Sequence, residues 1–401
     1  MLKKIPIEHL QIGMYVHDLC GSWLSHAFWR TSFAVDKPEI LNKLRTGAVQ
    51  EVWIDTSRGL DVPGSSPASA PPAALAAFTH DTTPATLGQE LQRAAALCAE
   101  ARDAVLHMFS EARMGQAVDL NTADTLVSAV CSSVERHPNA LISVARLKTA
   151  DNYTYMHSVA VCGLMVALAR KMGMDAAQVR QAGMAGLLHD MGKAHSRLEI
   201  LNKPGALTDE EFKHMQQHPV KGYVMLQGVV EDEEVLEACL HHHERMDGKG
   251  YPHGLSAPDL RPITRMAAIC DVYDAITSNR PYKQGWSPGV ALQRMAQWCP
   301  AHLDAHIFET FVKTIGLYPI GSLVRLHSGL LGVVCAPAEN SISTPHVVAF
   351  YDIAAQRMLQ PAKLLDLNKL PQERIVASED PAQWPFTNLE ALWQKAAASA
   401  G

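Results

Sequence analysis

The chain has 401 residues, of which 47% are hydrophobic and 19% charged, with a formal charge of -6. This is ordinary for a globular protein of two or three domains, and the charge excludes bulk attraction for DNA or RNA. The eight cysteines form no C-x-x-C pair, which argues against a disulfide framework or a zinc ribbon and for a reducing, cytoplasmic location.

The opening MLKKIPIEHLQIGM lacks the long apolar core of a signal peptide. Residues 1–60 read as a small α/β accessory domain, with strands at MYVHDL and EVWIDT and a helix at KPEILNKLR. Residues 61–88, rich in Pro, Ala, Ser and Thr, read as a flexible linker. From 89 onward the apolar spacing is helical, with lead-in helices over 89–124 and a helical domain over 125–316. The most apolar run, VAVCGLMVALA over 159–169, is too short for a membrane span and is expected to be a buried core helix. Thr208 and Glu211 form a capping-box pattern ahead of FKHMQQHPVKGYVML. Residues 317–370 change to short strands joined by turns, a small β unit, and 371–401 read as a helix plus a loose end. The expected fold class is therefore mainly α, a helical bundle flanked by a small α/β N-terminal domain and a small β C-terminal unit.

Nineteen histidines are many for a chain of this size, and the informative ones sit at helix ends. AGLLHDMGK places His189 and Asp190 where an apolar helix stops. His157 opens the helix HSVAVCGLMVALAR, His218 ends a turn of the helix beginning at Glu210, and His242 and His243 end EEVLEACLHHHE. Asp271 lies in the otherwise apolar ITRMAAICDVYDAIT, where an unpaired carboxylate is costly and needs a cation or a strong donor. Imidazoles and carboxylates converging from several helices make a metal site in a bundle core. A mixed N/O set without Cys suits iron, manganese, nickel, cobalt or zinc, and does not suit a structural zinc site.

HDMGK, NKPG, HHHERMDGKGYPHGL and DVYDAITSNRPYK, in this order and spacing, resemble the HD-GYP family, a branch of the HD-domain metal-dependent phosphohydrolases. The resemblance covers roughly residues 125–316. The first 60 residues are more loosely similar to a domain of unknown function often found ahead of HD-GYP domains. The resemblance implies an HD-domain helical bundle around two divalent transition metal ions, iron or manganese first. His157, His189 and Asp271 match the ligands of one ion, His218, His242 and His243 those of the other, and Asp190 matches the bridging carboxylate. Members with a third ion carry Glu where this chain has Tyr153, which favours a two-metal centre. Lys193 matches the lysine that faces the scissile phosphate, and Arg280 and Lys283 match basic residues on substrate phosphates. Tyr251 belongs to a loop bordering the pocket. His214, one turn before His218, and His241, read as a solvated helix residue, are bystanders, and Glu244 and Asp247 are expected to fix the loop. A Pro common near Arg197 is absent and Ala257 stands where Gly is frequent, which concerns loop shape at the pocket mouth.

The implied activity is hydrolysis of cyclic di-GMP to pGpG, with GMP as an open further product, through a metal-bridging hydroxide, in bacterial second-messenger signalling. Two readings stay beside it: a cyclic-dinucleotide receptor or protein-docking module without useful turnover, and a phosphodiesterase for another cyclic dinucleotide. Homodimerisation and docking of a signalling protein on the Gly-Tyr-Pro loop are left open. Neither a nucleic acid nor a membrane span is expected.

Overall fold

The computed structural model describes residues 2–20, 33–45, 51–55, 58–60, 71–79, 83, 85–146, 153–201, 203, 205–278, 285–338, 341–386, 389 and 391–393. The chain divides into two compact units, residues 1–70 and 71–401. In the first, strands β1 (Leu2–Pro6), β2 (Tyr15–Cys20) and β3 (Phe33–Ala34), helix α1 (Pro38–Arg45) and strand β4 (Glu51–Asp55) follow in order. The strands form an antiparallel sheet in the order β1-β4-β2-β3. Alternation in β4 turns Val52 and Ile54 inward, where they meet Val16 of β2 and Leu44 of the amphipathic α1. The elements expected here are present; β1 and β3 come in addition.

The second unit is built from α2 (Pro71–Ala76), α3 (Leu87–Arg113), α4 (Leu120–Arg136), α5 (Pro138–Arg146), α6 (Tyr153–Lys171), α7 (Ala176–Leu188), α8 (Leu198–Leu201), α9 (Asp209–Met215), α10 (His218–Leu226), α11 (Glu233–His241), α12 (Pro262–Thr277), α13 (Pro288–Trp298) and α14 (Ala305–Ile315). Helix α6 and the C-terminal half of α7 are apolar on nearly every face because both lie inside the bundle, sharing one core with α3, α4 and α12. Among the described residues no helix is long and apolar enough to cross a membrane. Thr208 and Glu211 form the expected capping box at the start of α9. That helix was expected to run on through His218; instead it stops at Met215 and α10 begins at His218. Pro219 lacks the N–H that a helix interior needs, so it sits in the first turn of a new helix.

A buried ion pair pins α3 to α4. Arg136 Nε donates to Glu90 Oε2 at 2.6 Å and Nη2 to Oε1 at 3.0 Å, and Ser133 Oγ donates to Glu90 Oε1 at 2.7 Å. Both charged side chains are almost wholly shielded from solvent, 2% and 0% exposed.

Two expected boundaries are corrected. Within the supposed linker 61–88, Pro71–Ala76 is helical and Leu75 is fully buried in the helical core, while 61–70 lie outside the described residues. The expected loose end beyond 370 supplies a strand. Strands β5 (Leu323–Leu326), β6 (Leu330–Ala336), β7 (His346–Asp352), β8 (Arg357–Asp366) and β9 (Ile375–Ser378) make an antiparallel sheet ordered β8-β7-β6-β5-β9. Trp393 is buried on one face of this sheet with Leu323, Leu331 and Phe350. Val324, Val334 and Val347 form a core on the other. Both faces are covered, so β6 reads as a continuous apolar run rather than an alternating one.

Candidate metal centre

Residues far apart in sequence meet where the ends of helices converge. His157 lies in the second turn of α6, His189 caps the C-terminus of α7 and Asp190 follows it. His218 is the first residue of α10, His242 caps α11, and Asp271 projects from the middle of α12. The short turn after Asp190 rests on α10 so closely that a Cβ on Gly192 would stand 1.9 Å from the His218 carbonyl oxygen. Only glycine admits that approach.

Two groups of donors result, His157–His189–Asp271 and Asp190–His218–His242–His243, each with its candidate ligand atoms within 4.8 Å of one another. Asp190 faces both. Its Oδ1 lies 3.1 Å from His218 Nε2 and 3.8 Å from His242 Nε2. Its Oδ2 lies 3.5 Å from His157 Nε2 and 3.4 Å from His189 Nε2. Asp271 Oδ1 is 3.0 Å from His157 Nε2, and its Oδ2 is 3.6 Å from His243 Nδ1.

The hydrogen bonds on the outer side of the rings fix what the inner side offers. Nδ1 of His189, His218 and His242 donates to the carbonyls of Gly186, Met215 and Cys239 at 2.8, 2.8 and 2.9 Å. Nδ1 of His157 donates to Asp274 Oδ2 at 2.6 Å. In its neutral form each ring therefore turns the lone pair of Nε2 inward. Lone pairs end up face to face, His189 against His157 at 3.3 Å and His218 against His242 at 3.2 Å. Two acceptors cannot satisfy each other, and Asp190 Oδ1 is buried without a hydrogen-bond partner. An inward-facing set of imidazole lone pairs and carboxylate oxygens fits divalent cations.

Protonation equilibria agree at His218, His242 and His243. Burial lowers the His242 pKa far below the ordinary imidazole value and that of His243 to about 3, and it also lowers His218, so these rings are neutral and ready to ligate. Burial acts against the cation at His157 too, but Asp271 and Asp274 outweigh it and raise that pKa. Burial alone would raise the Asp190 and Asp271 carboxyls; Lys193 and His189 overcome it at Asp190, and His157 and His243 at Asp271, holding both well below the usual range. The pocket thus draws positive charge to its centre.

The bordering loop is tightly held. Glu244, 2% exposed, accepts backbone N–H bonds from His253, Gly254 and Leu255 at 2.6, 3.0 and 3.1 Å. Asp247 accepts from Arg245 Nε and Nη2 at 3.0 and 2.9 Å. Gly248 and Gly254 adopt positive φ, +74° and +69°. Gly250 serves another purpose: a Cβ there would lie 2.4 Å from Glu244 Cα, so this glycine lets the loop press against the end of α11. Tyr251 stacks on the His243 ring, with centroids 4.7 Å apart and planes at 29°. Burial, with Asp271 and Asp190 nearby, raises its pKa and keeps the hydroxyl protonated. The Lys193 ammonium pairs with Asp190 Oδ2. Arg280 and Lys283 lie outside the described residues. His214 belongs to neither donor group. His241 also stays outside both, yet it is not solvated as expected: it is 6% exposed and bonded to Glu237 at 2.9 Å and His253 at 3.0 Å.

Asp274 is the residue that the sequence reading missed. It lies one turn after Asp271 on the same face of α12, and that i, i+3 spacing of two carboxylates in an apolar helix was the available signal. Its bond orients His157 and raises the basicity of Nε2. Asp274→Asn is expected to weaken divalent-ion affinity about 10–100-fold, read as earlier loss of metal to a competing chelator. Unchanged chelator resistance would refute the role.

Residues 2–123 match a family described as a domain of unknown function (DUF3391), and residues 126–307 match the HD domain. The whole chain is 49% identical over 406 residues to the cyclic di-GMP phosphodiesterase PA4108 of Pseudomonas aeruginosa, an alignment covering 100% of this chain and 98% of that protein. It is 33% identical over 180 residues to the 3'3'-cGAMP-specific phosphodiesterase 1 of Vibrio cholerae, spanning 45% of this chain and 42% of that protein. Among solved structures, the HDG"Y"P protein Bd1817 from Bdellovibrio bacteriovorus aligns with a TM-score of 0.51 at 16% identity, covering 78% of this chain and 99% of that one, and shares the fold.

Proposed function

The chain belongs to the HD-GYP family of HD-domain phosphodiesterases, and from that premise we propose that it binds two divalent metal ions and hydrolyses cyclic di-GMP to pGpG. The observation that carries this reading is Asp190, whose two carboxylate oxygens face two separate sets of inward-turned imidazoles. His157, His189 and Asp271 would hold one ion, and His218, His242 and His243 the other, with Asp190 shared between them. Bound there, the ions supply a water nucleophile activated at neutral pH and positive charge for the phosphoryl oxygens.

The chain's own side chains do the rest. The Lys193 ammonium, kept at the centre by Asp190, can donate to a phosphate oxygen and offset charge as it develops. The Tyr251 hydroxyl, held protonated by burial, is a second donor at the pocket edge. Arg280 and Lys283 are proposed to grip substrate phosphates, and Arg280 has the planar fork suited to two oxygens. The Glu244 carboxylate keeps the loop against α11, so Tyr251 stays on His243. The N/O donor set suits iron, manganese, nickel, cobalt or zinc, and the family resemblance puts iron or manganese first. Free, buried Cys162, Cys239 and Cys270 support a cytoplasmic location.

The test is elemental analysis of anaerobically purified protein coupled to product identification, with cyclic di-GMP and 3'3'-cGAMP offered side by side. Two ions per chain and pGpG from cyclic di-GMP are expected. Cyclic di-GMP bound but recovered intact would make the protein a receptor instead, and faster turnover of 3'3'-cGAMP would reassign the substrate.

A further inference from the structure

A second cavity, of about 440 Å³, opens between the helical bundle and the C-terminal sheet. This is within the size range of small-molecule sites, roughly 300–1,000 Å³. The last turn of α6 contributes Arg170 and Lys171 to its wall, and the last turn of α14 contributes Lys313. Basic residues are common in last turns because they complement the helix dipole. The dipole does not explain why two such ends open into one cavity, or why the same wall holds His137, whose Nδ1 is buried with no hydrogen-bond partner.

The charge is only partly compensated. Arg170 Nη2 is 3.5 Å from Glu135 Oε1, and Lys313 Nζ is 2.7 Å from Glu309 Oε1, all at solvent-exposed positions where such pairs are weak. Lys171 has no ion-pair partner among the described residues. The rest of the wall mixes apolar residues, among them Val134, Ala167 and Ile320, with the polar Asn139, Thr314 and Ser341. Ile342, 45% exposed, sits at the rim, on a segment tied to the end of α14 by the Leu317 N–H···O=C Ile342 bond of 3.1 Å. Tyr318 lines the floor, and burial raises its pKa, so it offers a neutral hydroxyl.

We propose that this cavity binds a small organic anion of nucleoside-monophosphate size, its phosphate on Lys171, Arg170 and Lys313 and its flat body against Ile342 and Tyr318. The site is apart from the metal centre but shares an element with it. Helix α6 runs 19 residues, about 28 Å at 1.5 Å per residue, with His157 near one end and Arg170 and Lys171 at the other. A ligand on the basic end therefore touches the same rigid helix that positions a candidate metal ligand.

The experiment is calorimetric titration of the metal-loaded full chain with GMP, AMP and inorganic phosphate, repeated with Lys171→Glu and Lys313→Glu. A binding event for both nucleotides is expected. Each substitution should weaken it about tenfold, the loss of one charge-assisted hydrogen bond, without changing metal content or melting temperature. Isotherms unaltered in both variants would overturn the proposal, since nucleotide held only at the metal centre does not depend on these lysines. Inorganic phosphate binding as tightly as the nucleotides would also overturn it, by leaving no role for the apolar part of the wall.

Discussion

Asp190→Ala is expected to leave a folded protein that retains less than half of its metal and hydrolyses cyclic di-GMP on the order of a thousandfold more slowly, or worse. The size of the effect follows from position. Asp190 turns one oxygen toward two imidazoles of each donor group, 3.1 Å from His218 and 3.4 Å from His189 at the nearest. Its removal takes a ligand from both and leaves Lys193 without its carboxylate. Asp190→Asn keeps the shape and removes the charge, so comparing the two separates packing from electrostatics. The measurements are metal content by elemental analysis, fold by far-ultraviolet circular dichroism, and product formation. Full turnover in either variant would sink the two-ion mechanism.

Glu90→Ala is expected to destabilise the helical unit by about 3–5 kcal/mol, because it takes from Arg136 the carboxylate that its guanidinium grips in a site only 2% exposed. The cost should come mainly from the buried charge losing its carboxylate rather than from lost packing. Replacing both partners by apolar residues, Glu90→Met with Arg136→Leu, should therefore recover most of the loss, since well-packed apolar pairs often equal or exceed buried ion pairs. The midpoint of urea unfolding reads both effects. A double variant as unstable as Glu90→Ala would show that the Ser133 bond and side-chain packing, rather than charge, set the stability here.

The candidate donor positions were legible because such groups on helix ends leave a local trace: polar, titratable residues stand where an apolar helix stops, as at His189–Asp190 and His242–His243. The partners that tune them left less: the i, i+3 spacing of Asp271 and Asp274 marks two carboxylates on one helix face but not what they touch. Asp274 could be weighed as a partner only once α6 and α12 were known to lie side by side, and Glu90 and Arg136 are separated by most of α3 and α4. The break between α9 and α10 turned on Pro219, whose effect was underweighted against the continuing apolar spacing. His241 was misjudged because its neighbours Glu237 and His253 come together only when the loop folds back on α11. The polar linker composition hid Leu75, a single buried anchor among small residues. Strand β9 went unseen because its alternation is brief and its partner β5 lies far back in the chain.

That late strand has a consequence for synthesis. Val324 of β5 pairs on one side with Gly332 of β6, its next neighbour along the chain, and on the other with Ser378 of β9. While the chain leaves the ribosome, β5 presents a bare row of backbone donors and acceptors until β9 emerges, and such edges recruit other strands. A nascent chain stalled before Ile375 would already carry every candidate metal ligand, yet it would be a sticky intermediate whose fate depends on chaperone cover rather than on its chemistry.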